Sequence, residues 1–274
     1  MTQATGPSFA ELEMKGWSDP GTAKAYADDF AKAAVQVVPT MVDQARVGPG
    51  TRALDLCCGH GIVAKGLVQA GAGVTGLDFS PAMLELARAQ VPEAELIEGD
   101  AMNLTFDAGS FDAVTIGFGI PHVPDPEQVF AQARRVLRKG GRLIYSVWAD
   151  EDGGLGYVFG AIAQHGAEGI ALPPGPGAHD YADPDRAHAA LSQAGFGDVT
   201  LSRVDSRWQV SDPAAPFEYF DKGTVRGGAL LRGQPDQNRA AIRQAVTDKV
   251  LSHHGKGPLW DIPIPSVVVA ATAV

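Results

Sequence analysis

The sequence predicts an α/β fold, a mostly parallel, doubly wound sheet covered by helices on both faces. Two observations carry this. Between Arg52 and Trp148, short apolar runs alternate with segments of helical periodicity. The turns between them are short and punctuated by glycine, at Gly59, Gly61, Gly71, Gly140 and Gly141. The composition agrees: of 274 residues, 45% are hydrophobic, enough for a sizeable core, and the 33 glycines and 19 prolines are spread along the chain.

The elements follow in order. A helix is expected over Ala23 to Val38, with Tyr26, Phe30, Ala33 and Val37 at helical spacing and Pro39 interrupting it. Gly48-Pro49-Gly50 breaks the chain before a first strand, Arg52 to Leu56. A helix from about Ile62 to Gln69 stops at Gly71, and Gly73 to Asp78 is a second buried strand. Ser80 and Pro81 suit the N-cap and first turn of a helix running to about Ala89. Ala94 to Asp100 and Phe111 to Ile116 read as strands three and four. A helix from Glu127 to Arg138 precedes strand five, Arg142 to Trp148. The rhythm then changes. Gly153 to Asp180 is rich in glycine and proline, with a short helix around Tyr157 to His165. Pro184 to Ala194 is helical, Asp198 to Val204 is strand six, and Asp212 to about His254 is a polar helical insertion. Ile264 to Ala273 is a seventh strand. The expected organisation is one domain over 1–274: a helical cap over 1–50, a ligand-binding core over 51–150, and a C-terminal half, 151–274, with cap insertions.

Charge and cysteine usage narrow the function. A net charge of −10 repels phosphate backbones, so no nucleic-acid partner is expected. The basic cluster Arg134-Arg135-Val-Leu-Arg138-Lys139 falls at the end of a predicted helix, where cations meet the negative end of the dipole. The N-terminus lacks the basic start and apolar core of a signal peptide, and no apolar run is long enough to span a membrane. The two cysteines, Cys57 and Cys58, are neighbours without metal-ligand spacing. A reduced cytoplasmic protein without a metal, acting on a small molecule, is the expectation. The oligomeric state is not legible.

The segment Arg52-Ala-Leu-Asp-Leu-Cys-Cys-Gly-His-Gly-Ile-Val-Ala64 reads as strand, glycine turn, helix, the place where such a sheet brings backbone close to a nucleotide-like ligand. Gly59-His-Gly61-Ile-Val-Ala64 also fits a dinucleotide fingerprint. Acidic residues separate the readings. Asp55 beside the loop would repel a pyrophosphate and favour a ligand with an ammonium or sulfonium group. Asp78, ending strand two, suits two ribose hydroxyls, in NAD and S-adenosylmethionine alike. Asp100, with the backbone N–H of Ala101, suits an adenine edge.

With these residues the chain resembles the class I S-adenosylmethionine-dependent methyltransferases, and most of all their ubiquinone and menaquinone group. The resemblance rests on Leu54-Asp-Leu-Cys-Cys-Gly-His-Gly61, Gly76-Leu-Asp-Phe-Ser-Pro-Ala-Met-Leu84, Glu98-Gly-Asp-Ala101, Phe111-Asp-Ala-Val114, Pro121-His-Val-Pro-Asp125 and Arg135-Val-Leu-Arg-Lys-Gly-Gly141. It implies a seven-stranded Rossmann-like sheet with an antiparallel C-terminal strand between strands five and six. It further implies S-adenosylmethionine as cofactor. Asp55, Gly59 and Gly61 would hold its methionine end and Asp78 its ribose. Phe79 and Met83 would flank the adenine, Asp100 and Ala101 would read its edge, and Tyr26 would close over the donor. Phe79, Met83 and Tyr26 also fit ordinary core packing. His60 fills a variable position of the loop.

Methyl transfer needs alignment and a dry pocket, and a base only where the acceptor must lose a proton. The loop Gly117-Phe-Gly-Ile-Pro-His122 leaves the carboxyl end of strand four. It offers Gly117 and Phe118 as lining and His122 as candidate base, the alternative being a histidine bonded to backbone. His165, His179, Tyr181, Trp208, Phe217, Tyr219 and Phe220 are candidate contacts for a hydrophobic or ring-bearing acceptor. Two other readings remain open: an enzyme of this fold that holds the cofactor but catalyses a non-methylating reaction such as cyclisation, and, more remotely, an NAD-dependent dehydrogenase.

Overall fold

The computed structural model describes residues 7–274; the first six residues, on which the reading of the N-terminus partly rests, lie outside the described residues. Nine strands are present among the described residues. They are β1 (Arg52–Leu56), β2 (Gly73–Asp78), β3 (Glu95–Glu98), β4 (Phe111–Gly117), β5 (Leu137–Trp148), β6 (Phe196–Val204), β7 (Arg207–Val210), β8 (Trp260–Pro263) and β9 (Ser266–Ala273). The chain forms two compact units. One contains Ala34–Ala149, Pro176–Val204 and Ser266–Val274; the other contains the residues up to Ala33, Asp150–Gly175 and Asp205–Pro265.

The first unit holds the seven-stranded sheet, in the order β3-β2-β1-β4-β5-β9-β6. The strands from β1 to β5 pair in parallel, whereas β9 is antiparallel to both β5 and β6. This is the Rossmann-like arrangement expected, with the last strand inserted beside strand five. The strand order reverses at β1, which has β2 on one side and β4 on the other, so the crevice beyond its carboxyl end is the switch point where such sheets bind ligands. The sheet is buried because its strands are apolar on both faces: Leu54, Leu56, Val114, Ile116, Tyr145 and Val269 are fully enclosed.

Several boundaries moved for physical reasons. The helix expected over Ala23 to Val38 is a succession of turns: α-helix Pro20–Ala25, a π-helical stretch Tyr26–Phe30, α-helix Ala31–Ala34 and a 3-10 turn Val35–Val37. Pro39 does not interrupt it but sits in the first turn of a new helix, Val38–Ala45, where its missing N–H costs nothing. The helix expected to reach Arg138 ends at Val136, and Leu137 already pairs with Phe111 in the sheet. Arg138 therefore lies on β5 and binds Asp112 rather than the end of a helix. Arg135 remains in the last helical turn and donates to the carbonyls of Leu104 and Phe106, each at 2.7 Å, and Arg134 donates to those of Gly195 and Val274. The basic cluster is thus occupied in tying loops to the sheet.

The second unit is mainly helical. Phe9–Trp17 opens it as a helix the sequence reading omitted, with Ser8 and Glu11 forming a reciprocal capping box. Further helices span Gly154–His165, Ala215–Gly223, Arg226–Arg232 and Asp236–His254, and β7 and β8 form an unexpected antiparallel pair. An aromatic core fills it: Phe30 lies edge-on to Trp208 and Phe220, and the Trp208 indole N–H donates to the Phe30 carbonyl at 3.0 Å. Trp208, Phe217 and Phe220, read from sequence as acceptor contacts, are nearly fully buried here and act as core. No helix among the described residues is long and apolar enough to cross a membrane.

Candidate functional site

The carboxyl ends of β1, β2, β3 and β4 bring together, within the first unit, every predicted cofactor-binding or catalytic residue except Tyr26; of the candidate acceptor contacts, His165, Trp208, Phe217, Tyr219 and Phe220 belong to the other unit. The loop after β1 is shaped by alternating left-handed backbone: Cys57 at φ +53°, Gly59 at +53° and Gly61 at +88°. A Cβ on Gly61 would come within 3.0 Å of Val91 and 3.3 Å of Ala87, so the helix Pro81–Gln90 approaches too closely for any other residue. Gly61 N–H closes the turn onto the Cys58 carbonyl at 2.9 Å. Two bonds tie the loop to β2: Cys58 N–H to the Leu77 carbonyl at 3.1 Å and Gly59 N–H to Asp78 Oδ2 at 2.8 Å.

A second strained turn faces the first. Phe118, just beyond β4, also has a positive φ, +57°, unusual for a bulky residue. Its N–H donates to the carbonyl and hydroxyl of Ser146, and its ring stacks on Trp148 at 4.1 Å between centroids. The next residue, Gly119, has no room for a side chain, because a Cβ would lie 2.4 Å from that of Cys57. Gly117 is similarly close to Val63. Two non-glycine left-handed residues at the same end of the sheet, in contact through Gly119, mark stored backbone strain of the kind held at functional sites.

Asp55 is fully buried. Its Oδ1 accepts from Thr115 Oγ1 at 2.7 Å, and its Oδ2 accepts from the Ala64 N–H at 3.0 Å. Ala64 lies in the first turn of the helix Ile62–Gln69, whose cap position, Gly61, has no side chain to serve that N–H. Asp55 is therefore a cap supplied from the neighbouring strand. The sequence reading faced this acid onto the ligand; in the structure both of its oxygens have protein partners, Thr115 and Ala64. Burial pushes its carboxyl up to about 7, opposed by the two hydrogen bonds and assisted by the negative charge of Asp78.

Asp78 ends β2 almost wholly enclosed. Its Oδ1 accepts from Ser80 N–H at 2.9 Å and its Oδ2 from Gly59 N–H at 2.8 Å. The Phe79 N–H also acts on this carboxylate, and its remaining lone-pair capacity can accept from a ligand donor. Burial raises its carboxyl above the usual range, while the Ser80 and Gly59 N–H groups and the nearby His122 pull it back. Ser80 caps the following helix through the Met83 N–H at 3.1 Å, so Asp78, Phe79 and Met83 are fixed as one unit. Met83 is buried, with its sulfur near Gly59, and Phe79 is half-buried. Asp100, by contrast, is exposed beyond β3; its Oδ1 accepts from Met102 N–H at 2.8 Å. Ala101 beside it is buried. His122 ends a 3-10 turn, Ile120–His122, and is half-buried. His60 is buried in the glycine loop.

Tyr26 belongs to the other unit, where its ring stands edge-on to Trp17 at 5.2 Å and stacks on Phe30 at 5.5 Å; burial raises its hydroxyl pKa. Tyr181 is buried in the first unit, its hydroxyl donating to Glu127 at 2.6 Å, a packing role in place of the acceptor contact read from sequence. Sequence reasoning missed Thr115 and Trp148, since nothing local marks either as part of a site. No cluster of ligands suited to a metal ion occurs among the described residues.

Residues 54–145 match a family model described as a methyltransferase domain. A demethylmenaquinone methyltransferase from Listeria welshimeri is 49% identical over 107 residues, covering 36% of this chain and 45% of that protein, so the matched part spans less than half of that relative. Among solved structures, phosphoethanolamine N-methyltransferase 2 of Haemonchus contortus, in complex with S-adenosyl-L-methionine, is similar with a TM-score of 0.61 at 17% identity, over 98% of this chain and 60% of that one. The [4+2]-cyclase SpnF is similar with a TM-score of 0.59 at 17% identity over the whole of both chains. At these identities the likeness to the two solved structures is one of fold, and this fold serves both a transferase and a cyclase.

Proposed function

We propose that this chain is an S-adenosylmethionine-dependent methyltransferase acting on a small-molecule acceptor. The observation that carries the reading is Asp78. It ends β2 beside the switch point of the sheet, held by the N–H groups of Gly59 and Ser80, with acceptor capacity left for ribose hydroxyls. Around it, Phe79 and Met83 would flank an adenine, and Asp100 with Ala101 would accept from and donate to its edge. The Gly59–Gly61 turn would receive the methionine end of the donor. Asp55 contributes from behind the loop, as a negative charge and as the cap that holds Ala64. The methyltransferase-domain match over residues 54–145 supports this assignment.

When bound, the donor would supply an activated methyl group on a sulfonium, which an acceptor's lone pair would displace while the pair of the broken C–S bond stays on sulfur. The protein's part is alignment and exclusion of water. Phe118, stacked on Trp148 at the end of β4, gives that region an apolar wall. Where the acceptor must lose a proton, His122 is the proposed base. The net charge of −10 favours a small, uncharged or cationic acceptor over a nucleic acid. Both cysteines are free thiols, in keeping with a reducing, cytoplasmic setting.

Calorimetric titration with S-adenosylmethionine, with Asp78→Ala as control, tests the reading: binding by the unaltered protein and its loss in the variant support it, and absence of binding sinks it. Turnover of an acceptor without release of S-adenosylhomocysteine would instead assign a non-methylating reaction.

A further inference from the structure

We infer that Thr115, on the middle of the sheet, is a positioning residue of the donor site, holding Asp55 in its charged form and through it the first turn of the helix that follows the glycine loop. The inference rests on the proposed donor site and adds to it a residue that never touches the ligand.

Thr115 and Asp55 face each other across the β1–β4 pair, in register, and are both fully buried. The Thr115 hydroxyl donates to Asp55 Oδ1 at 2.7 Å, a short bond of the charge-assisted kind. The opposite oxygen accepts from Ala64 N–H at 3.0 Å. The result is a chain of contacts from β4 through β1 to the helix Ile62–Gln69, with the glycine loop between its ends. A protonated Asp55 is a weaker acceptor for Ala64 and offers no negative charge to the cationic methionine end of the donor. The other ionisable groups acting on this region are Asp78, which disfavours the charge on Asp55, and the buried thiols of Cys57 and Cys58, whose deprotonation the negative charge of Asp55 opposes. Thr115 is the side chain in contact with Asp55 that favours its ionisation. With burial pushing the carboxyl up to about 7, a single hydrogen bond decides which form prevails near neutral pH.

The chain predicts a pH signature. Deleting the hydroxyl in Thr115→Val, which keeps the side-chain shape, raises the Asp55 pKa by about one unit, the size expected for one hydrogen bond to a charged group. S-adenosylhomocysteine is the probe, titrated calorimetrically between pH 6 and pH 9. Relative to the unaltered protein, Thr115→Val weakens binding about fivefold at pH 7 and about tenfold at pH 6, and the two agree within about twofold at pH 9, where Asp55 is largely ionised in both. Thr115→Ser, which restores the hydroxyl, follows the unaltered profile, and Thr115→Ala repeats the valine result should the valine variant fold poorly. A loss of affinity equal at every pH, or a Thr115→Val profile that coincides with the unaltered one, overturns the inference while leaving the donor site standing. No binding of the probe by the unaltered protein at any pH overturns the donor site itself, and this inference with it.

Discussion

Replacing Asp55 by asparagine should stabilise the protein at alkaline pH and weaken the proposed donor site together. Asp55 is wholly enclosed, and burial pushes its carboxyl from the ordinary aspartate range up to about 7. Between those values the folded protein keeps a proton that the unfolded chain releases. Stability attributable to this group therefore falls as pH rises from about 4 to about 7, and the full cost is present above that. A difference of roughly three units corresponds to ~4 kcal/mol. Asparagine keeps the shape and removes the charge: its carbonyl can accept from Ala64 N–H, and its amide can donate to Thr115 Oγ1, whose hydroxyl turns to accept. Allowing half of the difference for imperfect amide geometry leaves a gain of ~2 kcal/mol at pH 8, or a rise in Tm of about 5 °C for a chain of this size. Thermal and urea unfolding at pH 8 and pH 5 measure it, and the gain should shrink at the lower pH. An Asp55→Asn protein less stable than its parent at pH 8, or one whose difference does not change with pH, would refute the reasoning. The same variant should bind S-adenosylmethionine about tenfold more weakly at pH 8, so that a charge kept at a cost to the fold is seen to serve the ligand.

Asp78→Ala removes the acceptor of two backbone N–H groups and of the proposed ribose hydroxyls. Donor affinity should fall roughly a hundredfold in calorimetry, and a change below threefold would show that the ribose lies elsewhere. Gly61→Ala forces a left-handed residue against Val91 and Ala87 and should cost about 1–2 kcal/mol in urea unfolding, whereas unchanged stability would mean that the loop relaxes freely. His122→Gln should leave donor affinity within about threefold yet slow methyl transfer about a hundredfold if the acceptor loses a proton to this residue, and equal rates would remove His122 as the base.

The central half of the fold was legible because its signals are local. The strands β1, β2 and β4 and the second half of β5 are apolar runs bounded by glycine or by a cap such as Ser80, and Asp55 and Asp78 stand at the ends of such runs. The helix Phe9–Trp17 was missed, although the spacing of Ser8 and Glu11 marks its capping box; its buried face carries the acid Glu13 between Phe9 and Trp17, which interrupts the apolar signal. What could not be read depends on distant partners. The strands β7 and β8 are four residues each and are separated by the whole of the helices 215–254, so neither carries a pattern that names the other. Leu137 starts a strand that runs on through the polar Arg138-Lys139-Gly140 because Phe111 pairs with it, which periodicity cannot reveal. The same holds in the site. The sequence placed an acid at position 55, but its inward orientation follows from Thr115, 60 residues along the chain, and from an uncapped N–H at Ala64. The contact of the Cys57 and Phe118 turns through Gly119 is likewise invisible until the sheet brings them together.

The most direct test of the account is a calorimetric titration of the unaltered protein with S-adenosylmethionine and, separately, with NADH. Saturable binding of one S-adenosylmethionine per chain, with no heat from NADH, is the predicted result. Binding of NADH in place of S-adenosylmethionine, or of neither, would contradict it.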